Sequence, residues 1–247
     1  MSFEILSPEG LRCDGRRPHE MRKLKCEVGI AQDADGSAIV EQGYTKVLVT
    51  VFGPHECENR TKRTNDKAII CCSYNKATFS AGIRMRKMVT DKKSTEVSVM
   101  IQNTFEAAVL LEKFPKSQID IFVQVLQGDG GERCVAINAT TLALINAGIP
   151  MKDYVCACAA TIYQDTALLD INHLEEFSRG PLFMLAVMPK SEQIVQLQLD
   201  NRLHNDHLDK VVKQTVQGCK DIQLLLDRKI KEKTVEAAAA YDIKPRV

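Results

Sequence analysis

Apolar positions recur every second residue early in the chain and every third to fourth residue later, and the two periods divide it into strands and helices. Leu24, Cys26, Val28 and Ile30 alternate with polar neighbours over 24–31, which predicts a half-buried strand. Residues 33–36 read as a turn, 37–41 as the start of the next strand and 42–45 as a second turn. The run 46–52 is too continuously apolar to keep a solvated face, so it predicts a central strand, ended by Gly53 and Pro54. Another strand is expected over 68–74, and the polar, basic stretch 79–91 is expected to be a mobile loop. Ser94 suits the N-cap of a helix with Val97, Met100, Ile101, Thr104, Ala108 and Leu111 on its buried stripe and Pro115 at its end.

The centre of the pattern lies at 119–150. A β-rich run over 119–127 meets three glycines in four positions, Gly128, Gly130 and Gly131, and an Ala/Leu-rich helix follows. Val135, Asn138, Ala139, Leu142 and Ile145 repeat at helical spacing, and Gly148 with Pro150 stops the helix. A strand, a glycine turn and a buried helix aim free N–H groups outward, and Arg133 beside them points to an anion such as phosphate. The same glycines would also serve a plain tight turn. Lys93 stands at the mouth of the preceding helix as Arg133 does at this one, so the two mouths could converge on one phosphate. Strands at 154–163 and 167–170, a turn or short helix at 172–176 and a hairpin of 183–188 with 193–199 come next. A long amphipathic helix over 205–235, with Leu208, Val212, Thr215, Cys219, Ile222, Leu226 and Ile230 on one face, closes the pattern.

Composition narrows the class. The chain has 247 residues with no long polar linker, so a single domain over 1–247 of α/β or α+β class is expected, mixed sheets backed by helices. No membrane span or signal peptide is read, and no membrane partner is expected. Nine cysteines without regular spacing suit core positions and a reducing compartment rather than a zinc site. His204 and His207 have metal-like spacing but lack a third ligand and read as surface histidines. The net charge of +1 hides an asymmetry. From Asn59 to Lys93 ten basic residues face two acidic ones, a net of +8, and the remainder is −7. Such a patch suits a polyanionic partner.

Several ordered segments resemble the RNase PH family: 14–17 (Asp-Gly-Arg-Arg), 34–46, Gly53-Pro54, 93–96, 118–131, 146–150 and 168–170. The resemblance spans about residues 8–235 and is closest to the exosome core-ring subunit that carries the phosphorolytic site in archaea. Tyr44 departs from it, standing where the family usually has asparagine. It implies an RNase PH-like fold and a hetero-hexameric ring with other RNase PH-type subunits. It also implies S1/KH-type cap subunits, a separate hydrolytic nuclease and single-stranded RNA threaded through a basic pore. Nucleus, nucleolus and cytoplasm are the implied locations, and rRNA processing with general RNA decay is the implied task.

Active members of the family attack a 3′-terminal phosphodiester with inorganic phosphate, aided by Mg²⁺. By position the resemblance puts phosphate on Lys93, Arg133 and Gly131, and acid or Mg²⁺-binding roles on Asp170 and Glu176. RNA contacts fall on Arg60, Lys62, Arg63, Arg84, Arg86 and Lys87. Lys93 stands where arginine is usual and cannot grip phosphate with two prongs. Glu176 is one methylene longer than the usual aspartate, and Glu132 would repel phosphate if it faced the pocket. Two readings result: a largely non-catalytic ring subunit that positions RNA, or an active phosphate-dependent 3′-to-5′ exoribonuclease.

Overall fold

The computed structural model describes residues 5–57, 64–84, 91–163, 165–178 and 180–240. Its fold is mixed α+β with two sheets. Five strands, β1 (Leu24–Val28), β2 (Gly36–Gln42), β3 (Thr45–Glu56), β4 (Ile69–Lys76) and β5 (Ser117–Gln127), form the first in the order β1-β2-β3-β5-β4. Its pairs are antiparallel except β4 with β5, which run parallel. The helix α1 (Lys92–Ala108) makes that crossover and packs on β4. The second sheet, in the order β7-β6-β8-β9, is antiparallel throughout and consists of β6 (Cys156–Tyr163), β7 (Thr166–Leu169), β8 (Leu182–Met188) and β9 (Gln193–Asp200).

α2 (Glu132–Asn146) lies between the sheets, against β2 and β3 on one side and β6 on the other. Every residue from Cys134 to Leu144 is therefore buried, which is why this helix is apolar on all sides. Its polar members are spent locally. The Asn138 amide pairs with both backbone groups of Ala157, and the Thr141 hydroxyl donates to Val155 O at 2.7 Å. β2 passes so close that a Cβ on Gly36 would fall 2.2 Å from Ala143 O. Beyond the second sheet, α4 (Asn205–Ala240) covers β6, β7 and β8 and reaches β1. Val211, Thr215, Cys219, Ile222 and Leu226 are buried along it, with Leu208, Val212 and Ile230 packed beside them.

Three boundaries and one face differ from the sequence reading. β3 does not end at Gly53-Pro54: a cis peptide joins the two, and the strand shifts register there and continues to Glu56. It also alternates buried with partly exposed residues, so it keeps one half-open face. α1 is capped by Asp91 rather than Ser94, and Ser94 turns its hydroxyl back to the Asp91 carboxylate at 3.2 Å. The helix stops at Ala108, and Leu111 is buried instead in a short 3-10 turn, Leu111–Lys113. Of the loop expected over 79–91, residues 85–90 lie outside the described residues. Cys134, Cys156, Cys158 and Cys219 are buried, unbridged thiols, and burial pushes the Cys156 thiol up to about 12. Among the described residues no helix is long and apolar enough to cross a membrane.

Candidate functional site

The glycine turn after β5 is held from below by a buried charge network that sequence reasoning missed. Arg22 donates to Asp129 O at 2.8 Å and to Gly130 O at 3.3 Å, and the Thr45 hydroxyl donates to Gly130 O at 2.9 Å. The same guanidinium grips both oxygens of Asp170, at 2.7 and 3.1 Å, while the Arg22 N–H donates to Asp170 at 2.7 Å. Burial alone would raise the Asp170 carboxyl, but these Arg22 contacts hold it below the ordinary carboxylate value. Beside it Arg12 pairs with Glu175 through two nitrogens and donates to Leu169 O and Asp170 O. Glu175 closes a capping box with Asn172 at the start of α3 (His173–Phe177). Gly130, at φ 81°, comes so close to this helix that a Cβ would meet Asn172 C at 2.6 Å.

Above the turn opens a cavity of about 590 Å³. The N-termini of α1 and α2, the end of β4, α3, the start of β8 and the end of β9 wall it, and Lys93, Gly131, Arg133 and Glu176 all line it. The two helix mouths therefore converge as the spacing suggested. Asp170 does not join them. It is 3% exposed, its carboxylate is fully engaged by Arg22, and it is absent from the lining. The catalytic and metal roles expected of it stand apart from this geometry, in which its carboxylate holds the Arg22 that braces the turn before α2. No group of three or more His, Cys, Asp or Glu among the described residues could hold a metal ion. His204 and His207 lean instead on Asp206 and Asp165. Arg84 is exposed; Arg60, Lys62, Arg63, Arg86 and Lys87 lie outside the described residues.

The cavity's charges are largely spent on each other. The Asp91 carboxylate accepts the Lys93 N–H at 3.2 Å and so fills the mouth of α1 with an anion. Gly131, at φ 64°, caps α2 without a side chain, and Glu132 occupies its first turn. Glu132 does face the cavity: Lys76 Nζ lies 2.5 Å from it, and the Tyr74 hydroxyl 3.4 Å. Burial and then Glu132 raise the Tyr74 hydroxyl, and the same two causes raise the Glu176 carboxyl at the rim. Arg133 leans toward Asp200 at 3.8 Å, whereas Lys93 has no ion-pair partner among the described residues. Leu182, Met184 and Phe177 form an apolar wall. Lys76 and Tyr74 were legible only as part of a basic region and a strand, because their role depends on Glu132.

The model of the 3′ exoribonuclease family, domain 1, matches residues 20–150, and that of domain 2 matches residues 153–218. Human exosome complex component RRP41 is 48% identical over 237 residues, covering 96% of this chain and 97% of that protein. Two solved structures share the fold. The crystal structure of rice Rrp46 superposes with a TM-score of 0.81 at 23% identity, over 89% of this chain and 100% of that one. An Archaeoglobus fulgidus exosome with RNA bound to the active site gives 0.76 at 21% identity, over 87% and 92%. With both domain models matched in order and nearly the whole chain aligned to RRP41, the chain belongs to the RNase PH, or 3′ exoribonuclease, family, in its exosome core-ring branch.

Proposed function

We propose that the chain is a core-ring subunit of an RNA exosome that binds and threads single-stranded RNA for 3′-to-5′ processing and degradation, with little or no catalysis of its own. The observation that carries this reading is the carboxylate at each helix mouth, Asp91 at α1 and Glu132 at α2, where phosphate would have to sit. A unit negative charge at 4 Å costs a phosphate oxygen about 1–4 kcal/mol between bulk water and a protein surface. Lys76, which could offset it, is already paired with Glu132. In this reading the chain sits in a hetero-hexameric ring of RNase PH-type subunits under S1/KH-type caps, and hands RNA to a separate hydrolytic nuclease. The similarity to human exosome complex component RRP41, 48% identical over 237 residues, supports the exosome assignment. Nucleus, nucleolus and cytoplasm are its proposed locations.

A second reading, an active phosphate-dependent 3′-to-5′ exoribonuclease releasing nucleoside diphosphates, draws on Lys93, Arg133 and the uncapped mouth of α2 sharing one cavity. Inorganic phosphate would be its co-substrate, held by those groups. The Mg²⁺ expected of an active member does not fit Asp170 with Glu176, since Arg22 occupies the first. The deciding experiment co-assembles the chain with its RNase PH-type neighbours. A 3′-labelled single-stranded RNA is incubated with Mg²⁺, with and without inorganic phosphate. Salt-sensitive RNA binding without diphosphate release supports the first reading. Phosphate-dependent diphosphate release that Arg133→Ala abolishes establishes the second.

A further inference from the structure

A single apolar side chain in water is ordinary, but two phenyl groups stand exposed beside one cavity. Phe177 lines that cavity from α3 and is 81% exposed. Phe79 directly follows Thr78, another lining residue, and is 67% exposed. Both stand on backbone tied to the glycine turn, one at either end of it. Ser80 O accepts the Gly128 N–H at 3.0 Å, and the Ala77 and Ser80 N–H groups donate to Val125 O and Ala77 O, both at 3.0 Å. At the other end Gly130 packs on Asn172, the N-cap of α3, whose capping box with Glu175 is held by Arg12.

The surroundings select what these phenyl groups can hold. Asp91 and Glu132 put a carboxylate at each helix mouth, so the interior repels phosphate. Lys93 and Arg133 line the same cavity, and Arg84 is exposed beyond Phe79, so cations are at hand for a polyanion at the rim. A nucleic-acid strand drawn there can lay a neutral base on a phenyl face while its phosphates stay outside. Such stacking suits every base, because each has a π-face. A side chain on fixed backbone also loses little freedom in the contact.

We propose that Phe177 and Phe79 are base-stacking residues, which hold unpaired bases of the threaded RNA at the cavity mouth. This rests on the RNA-binding reading above. It divides the RNA contacts into two physical kinds. Contacts from the basic stretch release counterions and weaken with salt, whereas the phenyl contacts release none and are blind to both salt and sequence.

Fluorescence anisotropy of a single-stranded RNA on a ring co-assembled with its RNase PH-type neighbours, across a salt series, tests this. Phe177→Leu keeps an apolar side chain but loses the aromatic face. It is expected to bind RNA about tenfold more weakly, with the log–log salt slope unchanged. Phe79→Leu should do the same, and Phe177→Tyr should match the parent. An RNA made abasic near its 3′ end should bind the parent and Phe177→Leu assemblies equally. Because the side chain is exposed, melting of the free Phe177→Leu chain should stay near that of the parent. Parent-like binding by both leucine variants, a lowered salt slope, or an equal loss with abasic RNA overturns the inference and leaves the RNA reading standing. So does a Phe177→Leu chain that melts normally but fails to enter the ring, since a neighbouring subunit then covers the phenyl group. Failure of the unaltered assembly to bind RNA overturns both.

Discussion

Asp170 is 3% exposed with both oxygens on Arg22, so replacing it leaves a guanidinium in the interior without its counter-charge. Asp170→Ala is expected to cost about 3–5 kcal/mol, read from chemical denaturation. Its folded-state pKa lies below the ordinary 3.8, so the unfolded chain binds the proton first as pH falls. The pair's contribution is therefore complete above that value and is lost as pH drops below it, and acid unfolding of Asp170→Ala should be correspondingly shallower there. Glu132 acts on the cavity itself. Glu132→Gln removes the second of the two causes that raise Glu176, so the Glu176 carboxyl should titrate lower by NMR while burial keeps it above normal. Arg133 and Lys93 were legible because each stands beside a helix-starting signal in the chain, the glycines of 128–131 and Ser94. The Arg22 pairing of Asp170 was not legible, because an acid after a strand looks alike whether or not an arginine 148 residues earlier claims it.

At the scale of elements, the glycine turn shows how local geometry fixes a remote helix. Gly130 at φ 81° has Asn172, the N-cap of α3, 2.6 Å from a would-be Cβ, whereas Gly148 at φ 72° has nothing within 4 Å. Gly148→Ala is expected to cost about 1–2 kcal/mol of left-handed strain. Gly130→Ala should cost distinctly more and loosen α3, visible as faster amide exchange over 173–177. Strands, the β8–β9 hairpin and the faces of α2 and α4 could be read from their periods. The start of α1 could not, because Asp91 and Ser94 are both good caps and only the backbone path chooses between them. The passage of β3 through Gly53-Pro54 was hidden for a related reason: a proline marks a break in the ladder, not whether the strand resumes.

For the whole molecule the basic stretch from Asn59 to Lys93 sets the expectation for RNA. Binding by the assembled ring should weaken linearly in log–log terms with salt. Arg60→Ala with Arg63→Ala should flatten that slope by about 0.7 for each phosphate contact removed, as measured by fluorescence anisotropy across a salt series. The charge asymmetry was plain from the sequence, and so was the family. The mutual cancellation inside the cavity was not, since Lys76, Glu132, Arg133 and Asp200 come from three separate elements.

Arg12 and Arg22 find their acceptors at 169–175, which makes biosynthetic order matter. A ribosome delivers these arginines 148 to 163 residues ahead of the groups that neutralise them. The first sheet and α2 can form on the emerging chain, but the Arg22 that holds the glycine turn from below lacks its Asp170 counter-charge until that residue has left the exit tunnel. Completion of the cavity is therefore a late, nearly post-translational event. A nascent chain stalled before residue 169 would carry two interior guanidinium groups still exposed to any polyanion nearby, the ribosome's own RNA included.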